Sequence, residues 1–211
     1  MNAKQPDDRL SGMLGFVAKV TASATHEIKN ELAVINEQSR LLQEMLAMAR
    51  QGREVDQDRL EQLIGRVVAR VGQADQAVRR LNAFAHSADL ERTSAKPDQI
   101  LEALLRLFAR IASLKGVDLD LQPFQFGGEM ALRPILLEQT VWTCLESMVQ
   151  QAEKGSKLSV TPRCDQNALV VVFRLEPPVA LQAPEAELLY LPGANVVITP
   201  DKEMVLEARL K

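Results

Sequence analysis

Cysteine, histidine and aromatic residues are all scarce in this chain. Its 211 residues hold two cysteines, two histidines, one tryptophan and one tyrosine. Cys144 and Cys164 have no metal-ligand spacing and no histidine nearby, which argues against a zinc site or a disulfide scaffold and for a reduced, cytoplasmic protein. No apolar run approaches the ~20 residues that a membrane-spanning helix needs. The net charge of −3 gives no argument for nucleic acid or for an anionic membrane surface as partner. The first ten residues are polar, with Asp7 and Asp8, and lack the apolar stretch of a signal peptide. Hydrophobic residues are not scarce. At 46% of the chain they suffice for a real core in one or two domains.

That apolar content is patterned. Leu14, Val17, Val20, Ala24, Ile28, Leu32, Ile35, Leu42, Met45, Leu46 and Ala49 recur at helical spacing, which predicts one long helix from about residue 10 to 51. Gly52 is a natural stop, and Asp56 or Asp58 a start signal for a second helix over about 55–86. There, Leu60, Ile64, Val67, Val71, Ala74, Val78, Leu81 and Ala85 alternate four- and three-residue steps, the mark of a coiled-coil seam about four heptads long. The short link makes the pair an antiparallel hairpin. Stripes this wide cannot be buried by two helices alone, so two hairpins are expected to dimerise into a four-helix bundle. Arg66, Arg70, Gln73, Arg79 and Arg80 fall off the seam and read as solvated face. His86 reads as a helix-terminal cation.

Within the first helix stands Thr25-His26-Glu27-Ile28-Lys29-Asn30-Glu31-Leu32. At about 100° per residue, His26 lies roughly 200° from Ile28 and so points away from the seam, with Lys29 and Asn30 on its own face. A water-exposed imidazole beside a carboxylate offers a nucleophilic lone pair near neutral pH. A single histidine in a charged helix is more often a solvated surface residue. The motif around it, His-Glu-Ile-Lys-Asn-x-Leu, resembles the H-box of the sensor histidine kinases, in which that histidine carries the phosphoryl group. A proline often follows the Asn in that family. This chain has Glu31 there, so a straighter helix is expected. Only 25 residues precede His26, and the reading expects no input domain in cis.

After a linker at 87–98 the composition changes. A helix from about 97 to 115, a strand at 117–121, a turn at Gly127-Gly128 and a helix over 133–153 are expected. Strands at 157–161 and 168–174, an irregular Pro-rich piece at 176–184 and two short strands at 195–199 and 203–209 follow. The chain therefore divides into a flexible N-terminus (1–9), a helical-hairpin dimerisation and phosphotransfer domain (10–88) and an α+β layer (97–211). In order and length the last of these resembles the Bergerat-like ATP-binding domain of histidine kinases. The family's N-box, Asn-Leu-Leu-x-Asn-Ala, corresponds to Thr143-Cys144-Leu145-Glu146-Ser147-Met148, with Ser147 in place of the magnesium-binding Asn. The adenine-binding Asp-x-Gly-x-Gly is replaced by Leu175-Glu176-Pro177-Pro178, and only Leu191-Pro192-Gly193-Ala194 stands near the last glycine box. Neither ATP nor magnesium is expected to bind, and no cofactor or metal is expected.

The resemblance implies a two-component signalling protein, with His26 as acceptor, Glu27 to hold or polarise its ring, and Lys29 and Asn30 to stabilise phosphoryl oxygens. The expected partner is a response-regulator receiver domain, resting on Ala33 and Glu37 of the first helix and Arg66, Arg70 and Gln73 of the second. The hairpin geometry sets residue 26 beside about residue 81. Phosphotransfer or receiver dephosphorylation without ATP is one reading. The alternatives are a pseudokinase scaffold and an active kinase with an atypical ATP site.

Overall fold

The computed structural model describes residues 6–89, 93–124, 128–165 and 168–209. Helix α1 runs unbroken from Pro6 to Arg50, passing Glu31 without interruption. It ends at Gly52, whose φ of 75° is a conformation that side chains with a Cβ avoid. Asp56 Oδ1 accepts the Arg59 backbone N–H at 3.1 Å and so caps α2, Gln57–Ser87. Helix α3 covers Pro97–Leu114 and α4 Pro134–Gln151, each opening on a proline in its first turn, where no N–H is required.

Five strands form one sheet. They are β2 (Asp118–Leu121), β4 (Lys157–Asp165), β5 (Ala168–Glu176), β6 (Ala194–Ile198) and β7 (Glu203–Arg209), in the order β2-β4-β5-β7-β6. The β2–β4 pair is parallel and the other three are antiparallel. Two three-residue strands, β1 (Thr93–Ala95) and β3 (Met130–Leu132), pair antiparallel with each other. Sequence reading put β1 inside a linker and passed over β3, because three residues carry no measurable alternation. Gly127 of the expected turn lies outside the described residues.

Two compact units divide the chain, at Val20 and Ala83, inside the long helices. The first consists of Thr21–Asn82, the body of the hairpin. Ala24, Leu63 and Ala77 are its buried apolar residues, with Ser23 and Gln38 buried beside them. Leu63, Arg70 and Ala77 repeat every seven residues along the inner face of α2. Half of the expected seam, Leu60, Val67, Ala74 and Leu81, is half-buried beside that face, and the other half is open. Ile64, Val71 and Val78, assigned to it, are 47%, 51% and 40% exposed, and Val68 is 66% exposed. A single partner helix covers only part of so wide a stripe, so the inner heptad is buried within the chain and its apolar neighbour stays open.

The second unit joins Met1–Val20 to Ala83–Lys211. Helices α3 and α4 lie on one face of the sheet, and Leu104, Phe108, Trp142 and Leu145 of the helices are buried, as are Leu158, Val171, Phe173 and Leu206 of the sheet. Strand β4 alternates as a half-covered strand must, with Leu158, Val160 and Pro162 inward and Lys157, Thr161 and Arg163 outward. Phe16 of α1 packs edge-on against Phe84 and Trp142 at 5.4 and 5.5 Å, and Trp142 in turn meets Phe108 at 4.9 Å. Lys19 Nζ donates to Glu146 Oε1 at 2.6 Å. The outer ends of both long helices thereby belong to the C-terminal core.

Candidate functional site

His26 lies on α1 with its side chain exposed. The preceding Thr25 turns its hydroxyl back onto the Thr21 carbonyl at 2.8 Å, which holds it to the helix. Lys29, Asn30, Ala33 and Glu37 are all exposed. At steps of three, four, seven and eleven residues from His26 they form one face running down the helix. On α2, Arg66 and Gln73 are exposed, while Arg70 is half-buried.

Two ion pairs tie the hairpin together beneath that face. Glu27 Oε1 accepts from Arg80 Nη2 at 2.6 Å, with side chains 35% and 15% exposed. Glu31 Oε2 accepts from Arg70 Nη1 at 3.1 Å, and the same nitrogen donates to Gln73 Oε1 at 2.9 Å. The 27–80 pair crosses the hairpin near the level at which residue 26 is expected beside about residue 81, and the 31–70 pair crosses it on a slant. Arg70 and Gln73 thus come together, with Glu31 as their partner. The expectation that Arg70 and Arg80 are solvated needs correcting, since both point inward to carboxylates. Arg79, one residue along and about 100° round, pairs outward with Asp75 at 2.7 Å. Glu31 and Arg80 are the two site-flanking residues that sequence reasoning did not single out. No local signal marked them, because the heptad of α2 that faces α1 is fixed by packing.

A second group of polar residues lies on α4, in the other unit. Thr143 Oγ1 donates to the Gln139 carbonyl at 3.0 Å. Gln151 reaches the Pro-rich segment with both ends of its amide. Its Nε2 donates to the Gln182 carbonyl at 3.0 Å, and its Oε1 accepts the Gln182 N–H at 2.6 Å. Ser147 Oγ accepts from Gln151 Nε2 at 3.0 Å and faces the same carbonyl at 3.4 Å. Farther along the returning chain, the Leu191 N–H donates to the buried Thr140 Oγ1 at 2.9 Å. Glu146 is held by Lys19. Gln182 and Leu191 of the returning chain are therefore bonded to α4, one at its last turn and the other near its middle.

A magnesium ion needs several hard oxygens in near-octahedral array, and the oxygens of Ser147 and Gln151 already serve backbone groups of Gln182. A phosphate cradle needs backbone N–H groups aimed outward, and the Leu191 N–H is aimed inward. Burial pushes the Cys144 thiol up to about 12, so that sulfur is inert. No cluster of three His, Cys, Asp or Glu able to hold a metal occurs among the described residues, and none of the described helices is long and apolar enough to cross a membrane. An open concavity of about 460 Å³ on the uncovered sheet face is crossed by the Lys157–Asp120 pair at 2.8 Å and by the Arg174–Glu203 pair.

No protein-family model matches the chain, and no curated protein matches it. Solved structures do. The chain is similar to the Acinetobacter baumannii histidine kinase AdeS, with 14% identity over 82% of this chain and 95% of that one and a TM-score of 0.44. The cytoplasmic segment of histidine kinase QseC matches at 14% identity over 65% of this chain and 93% of that one, TM-score 0.43. Histidine kinase ThkA, in complex with the response regulator protein TrrA, matches at 12% identity over 98% of this chain and 64% of that one, TM-score 0.45. At these identities and scores the likeness assigns no role to any residue. The architecture itself is a long helical hairpin followed by an α/β layer with a mixed sheet.

Proposed function

We propose that this chain is a two-component signalling protein that carries a phosphoryl group on His26 without using ATP. The observation that carries this reading is the contrast between its two candidate sites. His26 is exposed on a helical face of small and polar side chains, whereas the α4 side chains that would meet a nucleotide are bonded to the protein's own backbone. An exposed imidazole suits in-line attack on the acyl phosphate of a receiver aspartate. The His26–phosphorus bond forms as the aspartyl oxygen–phosphorus bond breaks, and the carboxylate leaves with the electron pair. Lys29 and Asn30, on the same face, supply a cation and an amide for the phosphoryl oxygens. Glu27 follows His26 in the chain, paired with Arg80 so that its own charge is balanced. Arg66, Arg70 and Gln73 flank this strip from α2 and, with Ala33 and Glu37, are the surface assigned to a receiver domain.

The open apolar stripe of α2 (Ile64, Val68, Val71 and Val78), with Leu32 and Leu46 of α1, is assigned to a second copy, closing a four-helix bundle. The test is direct. Wild-type protein is incubated with labelled ATP and, separately, with receiver domains charged by an acyl phosphate. Label is expected from the receivers only, in an acid-labile, base-stable linkage that His26→Ala abolishes. Label from ATP would favour an active kinase. Receiver binding that survives His26→Ala, with no phosphohistidine at all, would leave a pseudokinase scaffold.

A further inference from the structure

Helix α2 ends on Ser87, whose hydroxyl is buried against α4. Its Oγ lies 2.7 Å from the Phe84 carbonyl oxygen and 2.5 Å from Glu138 Oε2. Both Ser87 and Glu138 are only 5% exposed. A serine hydroxyl owns one proton and donates once. With Glu138 as carboxylate, Ser87 Oγ faces two acceptors and can satisfy one, leaving the other against a bare lone pair. With Glu138 as the acid, every contact is matched: its O–H donates to Ser87 Oγ, and the Ser87 O–H donates to the Phe84 carbonyl. We infer that Glu138 is held as a neutral carboxylic acid, that this proton latches the end of α2 to α4, and that its loss loosens the junction. This latch is independent of the phosphotransfer reading.

The electrostatics agree. Burial drives the Glu138 carboxyl up to about 7, against the opposing pull of the Ser87 hydrogen bond, and no ionic partner contributes. The cations on elements packed against α4 are engaged elsewhere. Lys19 of α1 holds Glu146, His86 of α2 stands 3.7 Å from Asp89, Arg106 of α3 holds Glu102, and Arg174 of β5 holds Glu203. Arg110 and Asp98 on α3 and Glu207 on β7 are further charged groups on those elements, and only burial and the Ser87 hydrogen bond move the Glu138 carboxyl. An acid with no cation to balance its conjugate base keeps its proton until bulk pH removes it.

The test uses the intact chain between about pH 5 and 9, a range that brackets the ordinary histidine value and lies above the ordinary carboxylate values. Trp142, the only tryptophan in the sequence, lies one helical turn from Glu138 and reports on this junction by fluorescence. Wild type should titrate with a midpoint near 7, Glu138→Gln should be flat, and His86→Gln should titrate as wild type does. Infrared spectra should show a protonated-acid carbonyl band at pH 6 that disappears as pH rises and that Ser87→Ala shifts in frequency. Amide exchange over 84–89, corrected for intrinsic rates, should quicken several-fold across the same midpoint. Absence of the acid band in wild type overturns the latch, whether or not the Gln variant folds. A titration retained in Glu138→Gln, or lost in His86→Gln, overturns it as well.

Discussion

Side chains of one type take opposite roles here according to where the helix turns them. Arg79 and Arg80 are neighbours, yet Arg79 forms an exposed i,i+4 pair with Asp75 and Arg80 a largely buried one with Glu27. Exposed pairs are worth little, because water screens both charges and the long side chains lose freedom. A charge stranded under the hairpin surface is costly. Arg80→Ala should therefore lower stability by about 1–2 kcal/mol, a value reduced from that of a fully buried pair because Glu27 keeps access to water. Arg79→Ala should change it by less than about 0.5 kcal/mol. Chemical denaturation of the two variants side by side checks the contrast, and equal effects would show that Glu27 does not depend on Arg80.

At the level of elements, α2 presents two apolar heptads separated by one residue. The inner one, through Leu63 and Ala77, is buried on α1, and the outer one, through Ile64, Val71 and Val78, is not. A charge placed on the outer heptad should spare the single hairpin and oppose its assembly. Val71→Asp is expected to keep the helical circular dichroism of wild type and to shift the light-scattering mass from two chains to one at micromolar concentration. A wild-type monomer would remove the bundle from the reading. The Pro-rich segment is an element of another kind, with no regular structure between Glu176 and its short 3-10 turn at Ala186–Leu188. Its fixed point is the two-way bond between Gln151 and the Gln182 backbone. Gln151→Ala should speed amide exchange and proteolysis at 181–183, and calorimetry should still find no ATP binding, because Ser147 and the absent glycine boxes are untouched.

For the molecule as a whole, pH acts through the buried Glu138. The folded state keeps a proton that the unfolded chain, with an ordinary value of 4.5, has already released. Stability from this group is therefore complete below about 4.5, declines as pH rises, and is gone above about 7. The full difference is on the order of 3 kcal/mol. Urea midpoints measured at pH 5 and pH 8 should fall for wild type and stay level for Glu138→Gln. A flat wild-type profile would contradict the buried acid. The same junction joins the outer end of α2 to the C-terminal core, so its loosening would be felt where Phe84 meets Phe16 and Phe16 meets Trp142.

The sequence by itself determined the elements whose signals are local and periodic. The hairpin, helices α3 and α4, the five sheet strands and the outward placement of His26 all follow from spacing, because a helix or a half-covered strand writes its buried face into consecutive residues. Gly52 and Asp56 marked the turn of the hairpin for reasons of backbone geometry and capping alone. Only the tertiary structure decided which of two adjacent heptads on α2 is covered within the chain, since periodicity does not say how far a partner helix reaches. It alone turned Arg70 and Arg80 inward to Glu31 and Glu27, residues 39 and 53 positions away. It alone laid Gln182 on Gln151 and Ser87 on Glu138. Contacts between residues 31 and 51 positions apart depend on how separate elements pack, and no local pattern in an amino-acid sequence encodes that distance.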